Sequence, residues 1–437
     1  MQENSKQSGK GMFFSPEKTS SVEKIKSVSA LQEEIKKAVS KTTSELLETI
    51  IGGTIQINAS DVHIEPMKEA AKIRVRVDGI LRDVIDIAKE DYEEILSRIK
   101  LLSGIKLNIN DRPQDGRFSI FMEKEKETLP IELRISTLPA EHGEAIVIRI
   151  LNPKSLISLE DLGLRDDLLE IFKKEIKKPN GMIIITGPTG SGKTTTLYAF
   201  LKEIQRPEIK IITIEDPIEY HLKGISQTQV NPEKGYDFAS GLQSIMRQDP
   251  DVILVGEIRD PKTSKIAIQA ALTGHLVFST LHANDASGTV SRMTSLEGDI
   301  KNIGPAINIA VAQRLVRKVC KKCLTLKTVS KEEAAKIKKG LPESFLKKYK
   351  FSAKSKIAVS KGCKECNSTG FEGRVGIFEI ILVDEEMERF ILKTPSIADL
   401  REKAIERGMI TMKQDGFVKI LENVTTIEEV ERVAGEE

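Results

Sequence analysis

An apolar run closes on a glycine-rich loop and reopens as a helix. GMIIIT leads into Gly187-Pro188-Thr189-Gly190-Ser191-Gly192-Lys193-Thr194, and TTLYAFLKEI follows. The loop meets every position of the GxxxxGK[ST] pattern, in the strand–loop–helix setting its chemistry requires. Glycines let backbone N–H groups converge on phosphate oxygens, and the helix N-terminus adds partial positive charge. In that arrangement Lys193 bridges the β- and γ-phosphates of ATP, and the Thr194 hydroxyl ligates Mg²⁺. The surrounding pattern agrees: IKIITIED, DVILVGEI and HLVFSTLH are short β-branched runs alternating with the helical FASGLQSIMRQ and SKIAIQAAL. Such alternation predicts an α/β fold with a largely parallel sheet buried on both faces.

Carboxylates at the C-terminal ends of these strands face the crevice where a nucleotide binds. DVILVGEIRD ends its strand in Gly256-Glu257, which makes Glu257 the candidate for orienting or deprotonating an attacking water. IITIEDPIEYH puts Glu215 and Asp216 at another strand end, before Pro217 stops it, where a carboxylate can hold the nucleophilic water or a Mg²⁺-bound one. His275 and His282 flank HLVFSTL, and an imidazole near the γ-phosphate can sense it by a hydrogen bond.

Upstream, residues 1–55 read as a mobile tail, to about residue 20, and a short amphipathic helix broken at Gly52-Gly53. Residues 56–152 change character. KIRVRVDGILRDVID alternates around Asp78-Gly79, a hairpin signal, and YEEILSRIKLLSGI reads as a helix. GRFSIFM, PIELRIST and EAIVIRIL add strands, giving a small α+β domain. Residues 156–437 form the larger domain, with a helical tail from about 384 to 437. No apolar h-region follows Met1 and no run nears the ~18 apolar residues that cross a bilayer, so a cytoplasmic protein is expected.

That compartment disfavours disulfides, which bears on the four cysteines. Cys320-Lys-Lys-Cys323 and Cys363-Lys-Glu-Cys366 are two CxxC knuckles, and two such pairs complete a closed structural Zn²⁺ site. The 39 residues between them predict a helical insert in a zinc module over about 317–370. From Arg317 to Cys366 there are 16 Lys/Arg against 4 Asp/Glu, although the whole chain carries only +2. That local imbalance points to anionic lipid headgroups or an acidic membrane protein as partner.

Four blocks stand in order: the loop above, ITIEDPIE, LVGEIRD and GHLVFSTLHAND. Together they resemble the secretion-ATPase superfamily, specifically the type II secretion and type IV pilus assembly ATPases. The resemblance runs upstream through RISTLPAEHGE, RPQDGR and SDVHIEP, and downstream through AQRLVRKVC, the cysteines and DGFVKILENVTTIEEV. It implies a RecA-like P-loop ATPase domain joined by a flexible linker to a PAS-like N-terminal domain, six subunits in a ring, and domain rotation as ATP turns over. It assigns Glu215 and Glu257 as the acidic catalytic pair, places His275 and His282 in a His box, and makes Arg117 and Arg134 the arginines that approach the phosphates when the domains close. Arginine suits that role because its planar fork stays charged and binds phosphate bidentately. The implied work is assembly of pilus or pseudopilus subunits against an inner-membrane platform protein; the tetracysteine favours assembly over retraction. Only about 55 residues precede SDVHIEP, so the family's further N-terminal docking domain is expected to be absent or reduced to one helix.

Two other readings share these motifs. A nucleic-acid translocase would use the basic zinc module as its grip, against which stand the near-neutral total charge and 4% aromatic content. A nucleotide-gated scaffold would need no catalytic carboxylates, and this chain has them in series.

Overall fold

The computed structural model describes residues 11–124, 127–153, 156–297 and 299–435. The chain divides into two compact units. The first comprises the described residues up to Pro153 together with Cys320–Cys323 and Lys361–Glu372. Its elements are β1 (Gly11–Phe14), α1 (Pro16–Val22), α2 (Val28–Ala38), α3 (Thr43–Gln56), β2 (Asp61–Pro66), β3 (Ala70–Val77), β4 (Ile80–Ala88), α4 (Lys89–Ser103), β5 (Gln114–Lys124), β6 (Glu127–Ala140) and β7 (Gly143–Leu151). The strands form one sheet in the order β1-β5-β6-β7-β2-β3-β4, antiparallel except for the β1–β5 pair. Alternation gives the sheet one apolar face: Val62, Ile64, Ile73, Val75, Ile135 and Ile148 lie in a core shared with α2, α3 and α4. The Asp78-Gly79 hairpin is as expected, with both residues at positive φ and Val77 paired to Ile80.

The structure departs from the sequence expectations at two places. The part of the predicted tail over residues 1–10 lies outside the described residues, but the next stretch is ordered: Met12 and Phe14 alternate into the core while β1 pairs with β5. Gly52-Gly53 does not break the helix; both lie inside α3. A Cβ on Gly52 would sit 2.6 Å from Phe14 Cε2, and one on Gly53 would sit 2.5 Å from Leu31 Cδ1. The glycines are there so that α1 and α2 can pack close against α3.

The second unit carries α5 (Asp166–Glu175), β8 (Gly181–Thr186), α6 (Lys193–Ile204), β9 (Ile211–Glu215), β10 (Ser226–Gln229), α7 (Phe238–Ile245), β11 (Val252–Val255), α8 (Pro261–Leu272), β12 (Leu276–Leu281), α9 (Ala286–Glu297), α10 (Ile300–Ala306) and β13 (Ile307–Val319). After Cys323 come β14 (Leu324–Thr328), α11 (Lys331–Gly340), α12 (Glu343–Lys348) and β15 (Lys356–Ser360). The chain ends with β16 (Phe371–Leu382), α13 (Glu385–Ile391), α14 (Ile397–Glu406), α15 (Met412–Leu421) and α16 (Ile427–Ala434). The main sheet runs β10-β9-β11-β12-β8-β13-β16, and every neighbouring pair from β10 to β13 is parallel. Successive residues of β8 serve opposite cores: Ile183 and Ile185 pack with α5 and α6, Met182 and Ile184 with the helices of the other face. That is why the strand reads as unbroken apolar sequence rather than alternation. The insert between the knuckles is helical as expected, in α11 and α12, and also holds an antiparallel β14–β15 ribbon.

Candidate nucleotide site and tetracysteine centre

β8 is wholly buried and releases the chain at Gly187, φ +146, into a loop whose Pro188, Thr189 and Gly190 are exposed. Gly192, φ +90, closes the loop immediately before α6 begins at Lys193. A Cβ at Gly187 would lie 2.4 Å from the Gln313 carbonyl, so the backbone turn there tolerates no side chain. Ser191 is buried, and Thr194 begins the first turn of α6. Lys193 Nζ folds over the loop, donating to the carbonyls of Gly187 at 2.8 Å and Pro188 at 3.1 Å. Burial lowers its pKa, and the Glu257 carboxylate opposes that shift.

Glu257 follows β11 at the same carboxyl edge of the sheet. Its side chain is 13% exposed, with Arg259 Nη2 at 2.6 Å from one oxygen and His282 Nε2 at 3.5 Å from the other. His282 follows β12, which pairs with β8 from Leu276↔Gly181 to Leu281↔Thr186. Thr186 fastens that edge, donating from Oγ1 to the Leu281 and Ala283 carbonyls and accepting the Ala283 N–H. Lys193, Glu257 and His282 therefore lie at the carboxyl edge, with Arg259 joined to them.

His275 is elsewhere. It precedes β12, its carbonyl accepts the Gly181 N–H at the start of β8, and its Nδ1 lies 3.1 Å from the Ala270 carbonyl. Six strand residues separate it from His282, about 20 Å along the sheet. His275 and His282 flank β12 as expected, and of the two it is His282 that shares the edge of the phosphate loop.

Glu215 ends β9 but faces inward, 3% exposed. Tyr198 Oη donates to one carboxylate oxygen, while Thr213 Oγ1 at 2.5 Å and Gln227 Nε2 at 3.2 Å donate to the other. Burial raises its pKa, and these donors oppose the rise. Asp216 starts the turn, through a cis peptide bond to Pro217.

Arg117 and Arg134 lie in the first unit, directly paired across β5 and β6. Register extends the row: Arg134 pairs with Arg149, Arg149 with Asp61, and Asp61 with Arg76. Arg149 Nε lies 3.1 Å and Arg76 Nε 3.4 Å from the Asp61 carboxylate. Arg149 was missed from the sequence, although its alternation in EAIVIRIL places it on the same face as Arg134. Tyr198, Gln227 and Gln313 were missed as well. Tyr198 carried a signal, standing four residues after Thr194 and so on the same face of α6.

The four cysteine Sγ atoms lie within 4.8 Å of one another. Cys320–Cys363 is 4.0 Å, Cys323–Cys366 3.8 Å and Cys363–Cys366 3.7 Å. Four thiolates around one tetrahedral Zn²⁺ would stand about 3.8 Å apart, so the donor set fits the ion. Burial works against ionising Cys366, but N–H groups of Cys363 and Gly370, each 3.2 Å from its sulfur, outweigh it and bring the thiol to about 7. The knuckle segments group with the N-terminal residues, where Asn367 Oδ1 accepts the Val28 N–H at 2.6 Å, while the insert groups with the second unit. A zinc module lying entirely within the C-terminal domain was expected instead.

A family model described as "Type II/IV secretion system protein" matches residues 36–432. The chain belongs to this family. Among curated relatives of the secretion family, the type IV pilus assembly ATPase PilB of Thermus thermophilus is 41% identical over 85% of this chain and 41% of its own length. Type II secretion system protein E of Pseudomonas aeruginosa is 40% identical over 90% of this chain and 75% of its own. The chain thus spans about two fifths of the Thermus relative. Among solved structures, the pilus retraction motor PilT with bound ADP aligns at TM-score 0.59 and 26% identity, covering 89% of this chain and 96% of that one. The ATPase DotB of Legionella pneumophila aligns at TM-score 0.64 and 21% identity over 90% and 96%, a likeness of fold. The fold is the α/β fold of secretion ATPases, and this chain carries a four-cysteine cluster as well.

Proposed function

We infer that this chain is an ATP hydrolase that powers assembly of type IV pilus or type II secretion pseudopilus subunits. The observation that carries the reading is the shared carboxyl edge at which Lys193, Glu257 and His282 meet beside a GxxxxGK[ST] loop. The loop amides and Lys193 bind the triphosphate, and Thr194 would hold a Mg²⁺ ion, which would supply charge neutralisation at the phosphates. Glu257 orients and deprotonates the attacking water, with Glu215 as the second member of the acidic pair, and His282, beside Glu257, hydrogen-bonds at the γ-phosphate. Arg117 and Arg134 approach the phosphates as the domains close.

The proposal extends to a RecA-like second unit, a PAS-like first unit, a homo-hexamer whose domains rotate with turnover, and a structural Zn²⁺ held by Cys320, Cys323, Cys363 and Cys366. PilB and protein E carry assembly and secretion in their names, and that supports an inner-membrane platform protein as partner and a cytoplasmic location at that membrane's surface. The basic insert suits anionic lipid there. For Glu257→Gln the expected outcome is ATP retained on the purified protein with hydrolysis slowed at least ~100-fold, the usual scale of a lost general base. Measuring bound nucleotide and turnover together checks it; undiminished turnover removes Glu257 from the mechanism.

A further inference from the structure

Glu215 meets other side chains on both carboxylate oxygens, and the group that closes it in from α6 is a tyrosine. Tyr198 is 1% exposed and stands one helical turn beyond Thr194, on the helix that the phosphate loop opens. Its ring is edge-on to Tyr220 with centroids 6.1 Å apart, and the backbone amides of Glu219 and Tyr220 approach its hydroxyl oxygen. With those amides on the oxygen, the single phenolic proton is left for Glu215, to which it donates. Thr213 and Gln227 hold the other carboxylate oxygen from β9 and β10. Just beyond β11 the Gly256 backbone passes close, where a Cβ would stand 3.3 Å from the Glu215 Cα. The groups around Glu215 are thus one phenol, one threonine hydroxyl, one amide and, from the turn after Pro217, the Glu219 carboxylate.

We propose that Tyr198 is a positioning residue for Glu215, its hydroxyl fixing the carboxylate to the helix that carries Lys193 and Thr194. The inference rests on the catalytic reading of Glu215. It makes the orientation of that carboxylate depend on where α6 stands, so movement of the phosphate loop is felt at the end of β9. The direction of the electrostatic effect follows. Three donors stabilise the charged carboxylate, while burial and the Glu219 charge disfavour it. Removing the tyrosine donor leaves burial less opposed, so Glu215 takes up its proton at higher pH.

The test is the pH profile of kcat for full-length wild type, Tyr198→Phe, Gln227→Met and Glu215→Gln. Phenylalanine keeps the ring packing and loses only the donor. The expected result is an acid limb moved up by about one pH unit in Tyr198→Phe and by less in Gln227→Met, with KM for ATP unchanged. Glu215→Gln should lose that limb along with most of kcat. If Tyr198→Phe lowers kcat equally at every pH, or lowers only thermal stability, the hydroxyl is structural and the proposal is overturned. Should Tyr198→Phe not fold, an unmoved limb in Gln227→Met overturns it in the same way. A Glu215→Gln variant with wild-type kcat and limb removes the catalytic reading of Glu215 itself, a separate failure.

Discussion

Glu429 is 2% exposed and accepts from two arginines: Arg317 Nη2 at 2.7 Å, and Arg432 through Nε at 2.8 Å and Nη2 at 2.6 Å. Burial alone would raise its pKa, but these donors outweigh it and hold the carboxyl at about 2. A carboxyl depressed from 4.5 in the unfolded chain to about 2 in the folded one stabilises fully above pH 4.5 and loses that contribution as pH falls toward 2. On linkage the interaction is worth on the order of 3 kcal/mol, enough to decide whether α16 stays on β13. Glu429→Gln is expected to lower Tm at pH 7 and to flatten the dependence of Tm on pH below 4.5; thermal melts at pH 7, 4.5 and 3 read both. Such a residue is invisible to motif reading, because its arginine partner Arg317 lies 112 positions away.

At the scale of elements, legibility follows the range of the forces involved. The phosphate loop, the β3–β4 hairpin and the alternating strands β5, β6 and β7 are set by local rules of glycine, turn chemistry and period, and all were readable. The Gly52-Gly53 pair misled because a local rule treats glycine as a breaker, whereas here Phe14, Val22, Ile25 and Leu31 arrive from other segments to fill the space a side chain would take. Gly53→Ala is accordingly expected to destabilise by about 1–3 kcal/mol through overpacking, despite the better helix propensity of alanine. A urea titration giving an unchanged or higher midpoint would contradict it. For His275 and His282 the sequence placed them on either side of one short strand, and the sheet shows which end adjoins the phosphate loop. At the knuckles, the two CxxC spacings were sufficient to foresee the four-sulfur cluster. Purified wild type is expected to carry about one Zn²⁺ per chain, and Cys363→Ser to lose most of it; metal analysis after chelator challenge reads the difference. Equal zinc in both would reject the site.

Across the molecule, each unit buries its own core and holds its own share of the chemistry. The second unit supplies the loop, the carboxylates and His282, and the first presents a sheet face on which Arg117, Arg134, Arg149 and Arg76 are in register with Asp61. Among the described residues, no helix is long and apolar enough to cross a membrane. The sheet order β10-β9-β11-β12-β8-β13-β16 puts the loop strand between β12 and β13, so His282 reaches the loop edge directly and Glu257 from one strand further out. On the proposed function this edge is where a triphosphate is cleaved. The direct measurement is inorganic phosphate released from Mg²⁺-ATP by purified full-length protein, wild type beside Lys193→Ala. Steady release by wild type, reduced to background in Lys193→Ala, is the predicted result; equal release by the two proteins, or none by wild type with nucleotide bound, would contradict it.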